Sequence, residues 1–86
     1  MRFMNARDLV ARWRPGSGDW DWPHEAVDVI NANPAGFADL LADIHTNGIT
    51  TPVLLGDDGR VWDGHHRVLA ALLVGVPVPF EEGRGG

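Results

Sequence analysis

The chain has 86 residues, 44% of them hydrophobic, a formal net charge of −5 and no cysteine. That length supports one small domain with a single core, and the lack of cysteine excludes disulfides, thiolate metal sites and cysteine nucleophiles. No run approaches the roughly 18 apolar residues of a membrane span, and MRFMNARDLV has no apolar signal region, so a cytoplasmic protein with no membrane partner is expected.

Lysine is absent and all basic residues are arginine, in a chain rich in Ala, Gly, Val and Asp, which hints at a GC-rich coding genome. The negative balance argues against nucleic acid as a partner, because duplex affinity comes from cations neutralising phosphates. The best basic patch is Arg2, Arg7, Arg12 and Arg14. The alternative is a solvated helix face whose interleaved Leu9, Val10 and Trp13 point inward.

In chain order, Met1 to Met4 can form a short strand. Asn5 is a helix N-cap with Asp8 three residues on, which predicts a helix from Ala6 to Trp13 stopped by Pro15. The loop RPGSGDWDWPHE carries Trp20 and Trp22, which either lid the core or line a ligand cleft. HEAVDVINANP reads as weakly helical. Asn33-Pro34 opens a stronger helix, Ala35 to Thr46, with Phe37, Leu40, Leu41 and Ile44 on one face and Gly48 as a left-handed cap.

Turn chemistry predicts a hairpin, Val53 to Leu55, Gly56-Asp57-Asp58-Gly59, then Arg60 to Trp62. A helix follows with Val68, Leu69, Leu72 and Leu73 packed on that hairpin, and Gly75 ends it. VPVPF is a closing strand whose prolines mark it as an edge or terminus. The domain is expected to span residues 1–80, with 81–86 a flexible tail. So small a core invites dimerisation or stabilisation by a ligand.

The chemistry concentrates where the second hairpin strand meets the helix, in Asp63-Gly64-His65-His66-Arg67. A strand that turns directly into a helix presents backbone N–H groups without intrahelical partners, at the positive end of the helix dipole. Such a start favours phosphates. His65 and His66 add ring donors, Arg67 adds a planar fork, and Gly64 lets an anion approach the backbone. Asp63 beside a phosphate would hold a metal ion, accept a proton or orient a histidine. The alternative is a capped helix with solvated histidines.

These residues carry a resemblance to the ParB/sulfiredoxin superfamily over roughly residues 37–80, in LLADIHTNGITTPVLL, GRVWDGHHRVLAALLVG and VPVPF. It implies an α+β domain with a short mixed sheet and packed helices. Partitioning ParB proteins carry Gly-Glu-Arg-Arg in the loop and bind CTP; sulfiredoxins carry Gly-Cys-His-Arg and use ATP. His65 takes the position of the sulfiredoxin cysteine, which excludes sulfinic-acid reduction. A full partitioning protein, with its helix-turn-helix and dimerisation domains, is not expected.

Asp63 to Arg67 is most similar to the Asp-Gly-His-His-Arg form of ParB-like kinases that phosphorylate free serine, and Pro23-His24-Glu25 resembles their Pro-His-Glu segment. The resemblance implies phosphoryl transfer from ATP or CTP with Mg²⁺ to a hydroxyl-bearing small molecule or protein. Gly64, His65, His66 and Arg67 would hold the nucleotide, Asp63 the metal, and Glu25, Asp63 and His65 would serve catalysis, Glu25 as base. On residues alone Glu25 reads equally as a surface acid in a first helical turn, His24 as a capping or packing residue and His45 as a dipole-compensating one. The competing class is a nucleotide-sensing or partner-binding module without turnover. A nuclease would have to draw on scattered Asp57, Asp58 and Asp63.

Overall fold

The structure is a computed structural model that describes residues 2–15 and 21–83. Its elements are β1 (Arg2–Met4), α1 (Ala6–Arg12), α2 (Trp22–Ala32), α3 (Pro34–Asn47), β2 (Val53–Leu55), β3 (Val61–Asp63), α4 (His65–Val74) and β4 (Val78–Glu82). The expected α+β class is what is found: a mixed four-stranded sheet in the order β1-β4-β2-β3 with packed helices. No helix among the described residues is long and apolar enough to cross a membrane.

Local signals start most helices. The Asn5 side chain accepts the Arg7 N–H at 2.8 Å, so the cap bond reaches Arg7 and not Asp8. Asn33 closes α2 and opens α3, accepting the Gly36 N–H at 3.0 Å on its side chain. The weakly helical stretch is an eleven-residue helix, because Asp21 caps it by accepting the His24 N–H at 3.0 Å and Trp22, Glu25 and Val29 bury one face. Tertiary burial of a face stabilises a helix more than propensity does.

The closing strand is not an edge. β4 lies between β1, to which it is antiparallel, and β2, to which it is parallel. Its ladder to β2 begins at Phe80, one residue beyond Pro79, so the missing proline donor falls outside that pairing. The expected tail also starts too early. Glu81 and Glu82 belong to β4, and the Gly83 N–H donates to the Leu55 carbonyl at 2.7 Å. Residues 84–86, like Trp20, lie outside the described residues.

The core sits on α4, which touches α1, α2, α3, β2 and β4. Val68, Leu69, Ala70 and Ala71 are buried in succession, so the middle of the helix has no solvent face. The small side chains of Ala70 and Ala71 permit that close approach, whereas Leu73, expected to pack, is 63% exposed. Trp22 is buried and closes the core, its Nε1–H donating to the Trp13 carbonyl at 2.7 Å while Trp13 donates to the Gly56 carbonyl at 3.2 Å. Trp62 caps the hairpin turn, donating to Asp58 at 3.0 Å.

The arginine patch is divided. Arg2 pairs with Glu82 at 3.2 Å and lies over the Phe80 ring. Arg7 and Arg12 are exposed on α1 while Leu9 is buried beneath them, as a solvated face requires. Arg14 has left the helix and bridges Arg60 through its backbone.

Candidate functional site

A single residue, Gly64, turns β3 into α4, with φ 98° and ψ 21°. That left-handed backbone suits glycine. A Cβ there would lie 2.7 Å from Val53 Cγ1 and from the Arg67 guanidinium. No side chain caps α4, so the first-turn N–H groups of His65, His66 and Arg67 have no capping acceptor. This keeps the anion-favouring character read from the sequence.

Arg67 has a further role that the sequence did not disclose. It donates to the Thr51 carbonyl at 3.1 Å and to Asp63 at 3.3 Å, tying the chain ahead of β2 to the end of β3. Two of its five N–H donors are used in this brace. Asp63 is largely exposed, and the group it orients is Arg67 and not a histidine.

Glu25 is not a surface acid. It is 3% exposed on the inner face of α2, with Oε1 3.1 Å from His65 Nε2. The Pro-His-Glu segment and the Asp-Gly-His-His-Arg cluster therefore meet through one carboxylate and one imidazole. The contact is a full ion pair only when the imidazole is protonated. His65 remains about one-third exposed while its partner is buried.

His66 stands edge-on to His65, ring centres 4.5 Å apart. Burial holds its imidazole below the ordinary value of 6.5, positive charge on His65 lowers it further, and Glu25 opposes both. Below pH 6.5 the unfolded chain then binds more protons than the folded one at this residue, so its contribution to stability is lost as pH falls through the lowered native value. His66→Gln is expected to make stability less steep between pH 6.5 and mildly acidic pH, measured by urea unfolding at a series of pH values. An unchanged slope would contradict it.

His24, Asp21 and Asp58 are occupied structurally. His24 places both its N–H and its Nδ1 on the cap residue Asp21, and those bonds hold the Asp21 carboxyl below its usual range. His45 is exposed in the last turn of α3. Asp58 accepts from the Arg60 N–H and from Trp62, which makes it a hairpin residue. Among the described residues no three of His, Cys, Asp and Glu are grouped to hold a metal ion.

Two hollows flank the start of α4. One of about 180 Å³ is lined by Val29, Asn33, Gly36, Phe37, Leu40 and His66. The other, about 100 Å³, adjoins Thr51 and Arg67. Larger hollows lie elsewhere: about 460 Å³ beside Phe3, Arg7 and Gly75 at the far end of α4, and about 360 Å³ beside Trp13, Asp57 and Glu82. Size and chemistry disagree, and chemistry is the better guide, because the α4 start alone combines uncapped amides, paired histidines, a buried carboxylate and a buttressed arginine. Of the wall residues, His66 and Arg67 were read from the sequence as phosphate contacts, Phe37 and Leu40 as an apolar helix face and Asn33 as a helix cap, none of them as the lining of a hollow. Compared with family models, curated proteins and solved structures, the chain has no significant match.

Proposed function

We propose that this protein binds a nucleoside triphosphate through the Asp63–Arg67 turn and transfers its terminal phosphoryl group to a hydroxyl. The observation that carries this reading is the 3.1 Å contact between buried Glu25 and one-third-exposed His65, which joins two segments distant in sequence at an uncapped helix start. Phosphoryl transfer asks a protein mainly for positioning and charge neutralisation. The α4 amides, His66 and the remaining Arg67 donors supply contacts to phosphate oxygens.

Glu25 is too buried to meet an acceptor directly. His65 is the member of the pair that reaches solvent, so it takes the hydroxyl proton on its imidazole while Glu25 orients and stabilises the imidazolium. The acceptor oxygen bonds to the terminal phosphorus, the bond from that phosphorus to the bridging oxygen breaks, and the nucleoside diphosphate leaves. Mg²⁺ would neutralise charge on the phosphates. One exposed carboxylate, Asp63, fits an ion that arrives with the nucleotide, since Mg²⁺ in such sites is held by one or two carboxylates and phosphate oxygens.

Glu25→Gln is expected to reduce acceptor-dependent diphosphate release by about 100-fold or more, with nucleotide affinity retained, measured by coupled assay and calorimetry. Turnover equal to the parent protein would defeat the reading. A second reading, a nucleotide-sensing module without turnover, draws support from the burial of Glu25 and from the engagement of Arg67 with Thr51 and Asp63. It expects nucleotide affinity to fall in Arg67→Ala with no turnover in either form.

A further inference from the structure

We propose that the hollow between α2, α3 and the start of α4 receives the nucleobase. The inference rests on the phosphate-binding reading of the Asp63–Arg67 turn and adds where specificity for a nucleotide over a bare polyphosphate resides.

Three features support it. The hollow shares His66 with the candidate phosphate site, so it adjoins the start of α4 where the phosphates would be anchored. At about 180 Å³ it exceeds a water site yet is smaller than the roughly 300 Å³ of a whole-ligand pocket, the size of one ring system. Its walls combine apolar Val29, Phe37 and Leu40 with two polar side chains, the mixture in which a few polar groups fix orientation.

The polar pair is directional. Asn33 Oδ1 already accepts the Gly36 N–H, which leaves Nδ2 as the donor toward a ring acceptor. Gly36 maintains this arrangement, because a Cβ there would collide with the Asn33 side chain. The His66 ring lines the hollow perpendicular to that of His65, 4.5 Å between centres, and offers an aromatic surface to a base. Asn33 thus has two duties, capping α3 and reading the base, and only the second needs its amide nitrogen.

Asn33→Ser separates them, because serine is as good a cap and lacks the donor. Affinities for ATP, CTP and inorganic tripolyphosphate are measured by calorimetry for the parent and the variant, with thermal unfolding confirming equal stability. The expected result is that at least one nucleotide binds more tightly than tripolyphosphate and that Asn33→Ser weakens it by about three- to tenfold, leaving tripolyphosphate unchanged. Equal affinity for tripolyphosphate and both nucleotides would overturn the base hollow while sparing the phosphate site. A nucleotide preference unchanged in Asn33→Ser would overturn it too, and no binding of any of the three would overturn both readings.

Discussion

Gly64→Ala is expected to destabilise the domain by roughly 2–4 kcal/mol, seen as a melting temperature lower by about 10–25 °C. Two effects add. A non-glycine residue at φ 98° is strained, and its Cβ would sit 2.7 Å from both Val53 Cγ1 and Arg67 Nη2. Relief requires either Val53, which is 1% exposed in β2, or the Arg67 brace to move. Since a domain of this size is stable by about 4–13 kcal/mol in all, the loss is a large share of the total. Thermal unfolding followed by tryptophan fluorescence measures it, and an alanine variant as stable as the parent would show that the turn does not need glycine.

Leu9→Ala is expected to cost about 3–5 kcal/mol. Leu9 is fully buried and α1 has only seven residues, so the helix is held by Leu9 and Ala6 against α4. Truncation leaves a cavity that a short, capped helix cannot fill without shifting Trp13, whose carbonyl accepts from Trp22. Leu73→Ala provides the comparison, because the same chemical change on a side chain 63% exposed should cost about 0.5 kcal/mol or less. Chemical denaturation of both variants checks the pair. Similar losses at the two positions would mean that α1 is not anchored through Leu9.

The two leucines also show how far hydrophobic spacing reaches. Leu73 and Leu72 fit the apolar repeat as well as Val68 and Leu69, yet α4 is surrounded at its middle and exposed near its end. Periodicity reports which side of a helix is apolar, not how many neighbours will cover it.

The family resemblance implied the α+β class, while the residues themselves predicted the hairpin, the capped helix starts and a glycine at the strand-to-helix junction, and left open whether that junction is capped. Each of these local features rests on residues adjacent in the chain: Asn5 and Asn33 as caps, Gly56 to Gly59 as a turn, Gly64 and Gly75 where φ is positive. Only the tertiary structure decided that Glu25 is buried against His65, that Arg67 braces Thr51 to Asp63, that Asn33 joins the wall of a hollow beside His66, and that β4 runs inside the sheet. The reason is physical: caps and turns are satisfied within a few residues, whereas burial, ion pairing and strand order depend on which distant elements the core brings together.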